Sequence, residues 1–518
     1  MSPGPAVRTI AARVITRVQR DNLMHAEPDA GFFRRRLVRR IAWMLVIAVL
    51  LSGIGGGLYR GLKVPPDPDW RSFYHESVYV WERGEIAPGT AMFGYLPATF
   101  FALWPFSLSP QPAGLVAFVL LNAVAAVASW ILLLRHWFDR GDMPDVGAFV
   151  WPVLLTVGHF QHVQQANQFT IWVLLLCVAG LTLLMRRREW AGGFVIGLAA
   201  CIKVTPFVFL PYLLIRRQWR AVAGLLLAIV LLDVVPSVVF FGPRGAIDEH
   251  SKWLRRAEWY SARRMIEDPL LRVRRHGNNC SYAVVLGRWL RSTENAEYQV
   301  ILSGDPPPDV IAETSAALQP NEYLVLDPMP TAGTVWAHRR DKIPDVPRYH
   351  VADLSANAVW YVWACTLAAA VGALMLFTMR YRMTPPGGSG WTAEVSLWLL
   401  MMFWLTPMMR DYYLALALPA YVVVWRAALV QTSAGRRSFG PAFAAAALAF
   451  FAATVPCLGW NDANWYGFHL AATAALAAAT AWAWRTERRR HIAVRPTPRS
   501  SVYPPQQAEA DRRRSVNR

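Results

Sequence analysis

Long apolar stretches recur along the chain and dominate its pattern of hydrophobic and polar positions. A helix needs roughly 20 apolar residues to cross a bilayer, and several stretches reach that length. They include Ile41–Tyr59, Ala113–Leu134, Ala221–Phe241, Ala358–Met379 and Tyr466–Trp484. The pattern predicts an all-α polytopic membrane protein with about eleven membrane segments, and leaves little room for a soluble domain.

Changes in composition divide the chain into five parts. We expect a basic cytoplasmic segment at 1–40, an N-terminal membrane half at 41–241, an external loop segment at 242–356, a C-terminal membrane half at 357–485 and a disordered basic tail at 486–518. Within the first half, residues 61–92 form an outer loop. Prolines in the external segment favour irregular structure, with short strands around Glu322–Leu326 as the alternative.

Charge gives the expected orientation. The chain carries a formal net charge of +19, and arginines cluster in short loops, which face the cytoplasm in most membrane proteins. Examples are Arg186-Arg187-Arg188 and Arg216-Arg217. We therefore expect a bacterial inner-membrane protein with both termini inside. The first 40 residues suit either a basic amphipathic helix on the anionic inner leaflet or a disordered basic tail.

The stretch Ala191–Ile215 is basic at both ends and is too short to cross twice. It could cross the membrane once, or form two half-helices that meet at Lys203-Val204-Thr205-Pro206. Proline lacks a backbone donor and breaks a helix, so we favour the half-helices. A broken helix at membrane depth is tolerated where it lines a cavity enclosed by protein.

The stretch Asp67-Pro68-Asp69 has the form of the metal-binding Asp-x-Asp of transferases that use nucleotide sugars. No glycine-rich phosphate loop flanks it, and the five cysteines show no zinc spacing, so we expect neither a metal nor a cofactor. A carboxylate just outside the membrane suits a general base for a hydroxyl group. Asp69 is the candidate, with a helix N-cap as its structural alternative, and Glu76 is a second carboxylate nearby.

Five short motifs follow one another in the order of a known family. They are Asp69–Tyr74 with Tyr95-Leu96-Pro97, Gln164–Asn167, Ala191–Ala200 with Lys203–Pro206, Asn279-Cys280-Ser281 with Arg288, and Thr406–Tyr413. Together they resemble glycosyltransferase family 87, whose members are integral-membrane mannosyltransferases of the glycosyltransferase-C type that use polyprenyl-phosphate-linked sugars. The chain departs from the family pattern at Tyr412 and Tyr413, where the family has paired histidines.

The resemblance implies a glycosyltransferase-C-like helical bundle in which Asp69 activates the acceptor hydroxyl for inverting attack on the sugar. A lysine at membrane depth needs a counter-charge, and a lipid phosphate is one; snorkelling and a pair with Asp233 are the structural alternatives for Lys203. The expected donor-phosphate ligands are Lys203, Arg410 and Arg288. The expected sugar and acceptor ligands are Tyr74, Gln165, Asn167, Asn279, Ser281, Asp411 and Tyr412. Arg410 and Asp411 could instead form an interfacial ion pair.

The sequence thus predicts transfer of a hexose from a polyprenyl-phosphate donor to a hydroxyl of a glycan or glycolipid at the extracytoplasmic face. Mannose as the sugar follows only from the resemblance. The expected partners are the lipid-linked donor, the acceptor and membrane lipids, with no nucleic acid. Two other interpretations stay open: a transporter or flippase for a lipid-linked saccharide, and a catalytically silent membrane scaffold.

Overall fold

The fold is taken from a computed structural model, and helices predominate in it. The described residues are 36–63, 69–84, 86, 95–138, 146–259, 261–267, 281–291, 298–304, 306–319, 322–327, 336–342, 351–381, 389–406, 410–433 and 468–493. Asp67 and Asn279 lie outside these ranges.

Ten helices and three short turns make up the described part of the first 234 residues. The helices are α1 (Arg36–Lys63), α2 (Asp69–Arg83), α3 (Ala98–Ser107), α4 (Gln111–Leu133), α5 (Val146–Leu154), α6 (Val157–Gln165), α7 (Thr170–Met185), α8 (Glu189–Ile202), α9 (Phe209–Ile215) and α10 (Trp219–Ile229). The turns are a π turn at Leu134–Phe138, a 3₁₀ turn at Thr205–Val208 and a π turn at Val230–Val234.

The described remainder contains eight helices, one 3₁₀ helix and three strands. They are α11 (Val235–Trp259), α12 (Ala262–Glu267), α13 (Tyr282–Leu290), β1 (Tyr298–Gly304), α14 (Pro308–Ala316), β2 (Glu322–Asp327), β3 (Trp336–Lys342), α15 (Ala356–Tyr381), α16 (Ser389–Leu405), a 3₁₀ helix at Asp411–Ala417, α17 (Leu418–Ser433) and α18 (Phe468–Ala493).

Four helical stretches among the described residues are long and apolar enough to cross a membrane. They are Leu37–Leu62, Gln111–Trp137, Trp219–Leu254 and Ala356–Tyr381. Large apolar side chains such as Leu51, Val124 and Leu376 are exposed along them, as lipid-facing positions require. The chain is therefore a membrane protein, while the larger number of about eleven segments stays a prediction.

The broken helix takes the half-helix form. Gly193 of α8 lies against Ala221 of α10, and Gly197 lies against Leu225. Both contacts advance by four residues in the same direction, so the two helices run parallel. The chain between them must return to the end where α8 began, and α9 makes this return. The basic residues before α8 and before α10 consequently lie at one end of the bundle, and Lys203 lies at the opposite end.

Helix α1 ends on the same side as Lys203. Its Gly57 lies against the Gln164 carbonyl and the Asn167 side chain at the C-terminal end of α6, and α7 begins three residues later at Thr170. Because α2 follows α1 after a short connection, it also begins at this end. Most of the buried apolar side chains of the membrane helices form one continuous core beneath it.

The expectation of an all-α chain is wrong for residues 298–342, where β1, β2 and β3 form a sheet in the order β2-β1-β3. β1 pairs parallel with β2 and antiparallel with β3. In β1, Val300 and Leu302 are two positions apart, so their side chains share one face of the strand, and both are buried. The alternative of strands around Glu322–Leu326 is confirmed, and the division of the chain into five parts stays a prediction.

Candidate active site

Lys203 stands at the centre of the candidate site. It follows the last residue of α8 and has an extended backbone, with φ −150° and ψ 125°, because Pro206 cannot continue the helical hydrogen-bond ladder. Its side chain is only 5% exposed. The break in the helix therefore delivers an ammonium group into the protein interior, which argues against a snorkelling lysine.

Two aromatic rings and a hydroxyl group surround this ammonium. Lys203 Nζ lies 3.9 Å from the centre of the Tyr413 ring and 5.6 Å from that of Tyr95, and 3.4 Å from Thr170 Oγ1. The electron-rich faces of tyrosine rings attract a cation. Asp233, the counter-charge considered above, has its carboxylate engaged by the Ala98 backbone and by His250.

Tyr95 is tied into the site through its hydroxyl group. The hydroxyl donates to Gln168 Oε1 at 2.7 Å, and Asn122 Nδ2 donates to the Gln168 carbonyl at 3.3 Å. The Tyr95 ring also contacts Phe73 of α2, with ring centres 5.2 Å apart. The loop before α3, the α6–α7 junction and α2 therefore meet beside Lys203.

Asp69 is the first residue of α2, and its side chain lies outside the described part of the chain. In an α-helix, positions 69, 73 and 76 share one face, and Phe73 on that face contacts Tyr95. Glu76 is buried, at 6% exposure. Trp70, which follows Asp69, is fully buried against Phe118. This contact anchors the start of α2.

Several predicted sugar ligands make structural contacts. The Tyr74 hydroxyl donates to the Ser109 carbonyl at 2.9 Å, which fastens α2 to the turn before α4. Asn167 has a left-handed backbone (φ 53°), and its buried side chain donates to the Gly57 carbonyl at 3.4 Å. The Gln165 side chain packs against Gly56. Their predicted sugar contacts are not tested by this geometry.

The segment before α17 brings a further motif to Lys203. Arg410 precedes the 3₁₀ helix with an extended backbone, and its carbonyl accepts the Tyr413 N–H at 3.0 Å. Asp411 and Tyr412 are part of this 3₁₀ helix, but their side chains lie outside the described part. The Tyr413 ring faces the ammonium, and the sugar contact predicted for Tyr412 stays a prediction.

Ser281 and Arg288 belong to the segment of helix α13. Ser281 immediately precedes the helix and is fully buried, and Arg288 is buried at 2% exposure. The Tyr282 ring contacts Trp404 near the end of α16, with ring centres 5.8 Å apart. Since Arg410 follows α16 closely in sequence, the first turn of α13 lies on the side of the bundle that carries this segment.

Sequence reasoning missed the residues that contact Lys203 and those that hold them. Tyr95, Thr170, Gln168 and Tyr413 were not predicted as ligands, although Tyr95 belongs to a recognised motif and Gln168 follows Asn167 directly. The signal in the sequence that could have identified them is that they lie within or beside the family-like motifs. Among the described residues, no group of three His, Cys, Asp or Glu side chains could hold a metal ion.

Comparison with known proteins adds independent support. Residues 93–300 match the model of Glycosyltransferase family 87. The chain is 27% identical over 218 residues, 38% of its length and 50% of the relative's, to the polyprenol-phosphate-mannose-dependent alpha-(1-2)-phosphatidylinositol mannoside mannosyltransferase of Mycobacterium tuberculosis. It is 30% identical over 138 residues, 25% of its length and 30% of the relative's, to the alpha-(1->3)-arabinofuranosyltransferase of Corynebacterium glutamicum.

The chain thus spans half or less of the length of these curated relatives. No solved structure matches it. The family match nevertheless includes the Tyr95 loop, the α6–α7 junction and both halves of the broken helix, which are the elements that assemble around Lys203. The resemblance to glycosyltransferase family 87 that the motifs indicate is therefore supported by the family model over residues 93–300.

Proposed function

We propose that the protein transfers a hexose, with mannose as the first candidate, from a polyprenyl-phosphate-linked donor to a hydroxyl group of a glycan or glycolipid. The observation that carries the proposal is the Lys203 ammonium, buried at a helix break that the family match includes. The mycobacterial relative is named for a polyprenol-phosphate-mannose donor. Both relatives are named as transferases, which does not favour the flippase alternative.

Lys203 would bind the donor phosphate. Its ammonium is buried between the faces of Tyr413 and Tyr95, and a cation in such surroundings attracts an anionic ligand. The phosphodiester of a polyprenyl-phosphate sugar carries one negative charge and would be that ligand. The same ammonium would stabilise the negative charge that develops on the departing polyprenyl phosphate as the glycosidic bond breaks.

Arg410 and Arg288 are the further phosphate ligands in this proposal. Arg410 lies three residues before Tyr413, whose ring contacts Lys203, so its segment is already at the site. Arg288 is buried at 2% exposure, so its guanidinium would meet a phosphate out of contact with water, where the attraction between opposite charges is stronger. A guanidinium presents parallel N–H groups that suit two phosphate oxygens at once.

Asp69 would act as the general base. In an inverting transfer, the acceptor oxygen attacks the anomeric carbon opposite the phosphate, and its proton passes to a carboxylate. The position of Asp69 supports this role, because it begins α2 on the face that carries Phe73, which contacts Tyr95. The sugar and acceptor would contact Tyr74, Gln165, Asn167, Asn279, Ser281, Asp411 and Tyr412.

The reaction would take place at the extracytoplasmic face of a bacterial inner membrane, with both termini in the cytoplasm. The end of the bundle opposite Lys203 carries the arginines before α8 and α10, and short basic loops face the cytoplasm. Nucleotide sugars do not occur outside the cell membrane, so a lipid-linked donor suits this orientation.

The test is transfer by the purified protein in detergent, supplied with radiolabelled polyprenyl-phosphate mannose and mannoside glycolipid acceptors. Wild type should form product. Asp69→Asn and Lys203→Met should each lower kcat/KM by about 100-fold or more, the range for a lost general base or electrostatic contact.

The matched control for Asp69→Asn is Glu82→Gln, an exposed acidic residue of the same helix, which should retain transfer. Lys203→Arg keeps the positive charge and should lose less than Lys203→Met. A flippase predicts a different pattern: Asp69→Asn would leave movement of a fluorescent lipid-linked saccharide across liposomes intact, with no product in any variant.

A further inference from the structure

The loop that carries Tyr95 is fastened at both of its sides. On one side, the Tyr95 hydroxyl donates to Gln168. On the other, the Ala98 N–H at the start of α3 donates to Asp233 Oδ1 at 2.8 Å, and the Thr99 hydroxyl lies 3.3 Å from the Cys201 carbonyl in the last turn of α8. The first turn of α3 thereby supplies a hydrogen-bond donor to a backbone carbonyl at the C-terminal end of α8, the helix that Lys203 follows.

The Asp233 carboxylate contacts a second group besides the Ala98 N–H. It is 3% exposed and lies in the π turn Val230–Val234, and π turns inside α-helices occur frequently at functional sites. Its second oxygen, Oδ2, lies 3.0 Å from His250 Nε2. The carboxylate is therefore shared between the Tyr95 loop and the later part of α11.

His250 reaches Asp233 only because α11 folds back. The two residues are 17 positions apart, and a straight helix of that length would span about 25 Å. Gly242 supplies the bend, with φ 73° and ψ 165° inside α11, a conformation that favours glycine. Trp253, further along the same helix, packs against the cluster formed by Leu96, Ala98 and Cys201.

The His250 ring is fixed in one orientation. Its Nδ1 lies 2.8 Å from the Ala246 carbonyl, and its Nε2 faces the Asp233 carboxylate. Both ring nitrogens thus face oxygen acceptors, which a doubly protonated imidazole satisfies with two N–H donors. The result is a chain of contacts from the folded-back half of α11, through His250 and Asp233, to Ala98 and the Tyr95 loop.

We propose that Asp233 and His250 are a pair of positioning residues that hold the Tyr95 ring beside Lys203 and thereby set the affinity for the phosphate of the donor. This inference rests on the proposed function, in which Lys203 binds that phosphate. Neither side chain touches substrate in this scheme. The pair acts through Ala98, and it makes donor binding depend on the half of α11 that follows Gly242.

The experiment measures donor KM, kcat and the midpoint of thermal unfolding for Asp233→Asn and His250→Gln. Asp233→Asn keeps an oxygen acceptor for Ala98 and removes the charge, and His250→Gln removes the second contact from the other helix. Each should raise donor KM about tenfold, the size expected for a charge-assisted hydrogen bond, with kcat changed by less than about twofold. Asp248→Asn, an exposed carboxylate of α11 that contacts Lys252, should change neither.

A double-mutant cycle separates positioning from plain stability. In a Tyr95→Ala background there is no ring to position, so Asp233→Asn should raise donor KM no further. Additive effects on KM, or a lower unfolding midpoint with unchanged KM, would overturn the proposal.

Binding of polyprenyl phosphate without sugar, followed by the quenching of tryptophan fluorescence, tests the pair independently of turnover. Affinity that falls in both variants supports the positioning role, even if wild type transfers no mannose and the proposed function fails. Transfer and binding that match wild type in both variants overturn the positioning role and leave the proposed function standing.

Discussion

At the scale of single residues, the sequence around Lys203 indicates a buried polar site but does not indicate which residues contact the ammonium. A lysine inside an apolar stretch followed by proline already indicates an enclosed polar site. Its neighbours come from distant parts of the chain: Tyr95, Thr170 and Tyr413. Periodicity and composition cannot identify such neighbours, because the contacts form only when the loops meet.

The hydrogen bond between Tyr95 and Gln168 gives a residue-scale prediction. Gln168→Leu would leave the buried Tyr95 hydroxyl without its acceptor, which costs about 1–3 kcal/mol. We expect a lower midpoint of thermal unfolding and weaker polyprenyl phosphate binding. Adding Tyr95→Phe removes the orphaned hydroxyl, so the double variant should recover most of the loss in stability. A double variant as unstable as Gln168→Leu alone would contradict this assignment.

At the scale of elements, close approach between helices depends on glycine. A Cβ on Gly193 of α8 would lie 1.9 Å from the Ala221 carbonyl of α10, far inside van der Waals contact. Gly193 belongs to the motif Ala191–Ala200, which resembles a motif of glycosyltransferase family 87. Its physical reason, the parallel packing of α8 on α10, emerges only from the tertiary structure.

Gly193→Ala should therefore force α8 and α10 apart and destabilise the protein by about 1–3 kcal/mol. Differential scanning fluorimetry in detergent would report the change as a lower unfolding midpoint. The control is Gly372→Ala in α15, where an added Cβ meets nothing within 4 Å; its midpoint should stay the same or rise. Equal effects of the two substitutions would rule out helix packing as the cause.

At the scale of the whole molecule, the ends of α1, α6 and α8 lie on one side, together with the starts of α2 and α7. The arginines before α8 and α10 lie on the other side. Charge alone predicted the orientation of these ends relative to the membrane. The structure adds that the helix break at Lys203 and the end of α1 lie at the same end of the bundle. The contact of Gly57 with the α6–α7 junction places the end of α1 there.

Cysteine labelling tests this orientation in intact cells. In a cysteine-free background, Asp69→Cys should react with a membrane-impermeant maleimide added outside. Arg217→Cys, an exposed position between α9 and α10, should react only after the membrane is permeabilised. Replacing the native cysteines is essential because Cys365 is exposed. Labelling of residue 69 only from the cytoplasmic side would remove the basis for a lipid-linked donor.

The sequence by itself determined the membrane class, the helix break at Lys203 and the resemblance to glycosyltransferase family 87, because hydrophobic length, proline and motif order are local properties of the chain. It allowed strands near Glu322 but not their pairing, since register depends on partners far apart in sequence. The tertiary structure alone decided that Tyr413 faces Lys203, that Gln168 holds Tyr95 and that Asp233 is shared by Ala98 and His250. These contacts join separate helices, and only the packing of small residues between those helices fixes where the loops meet.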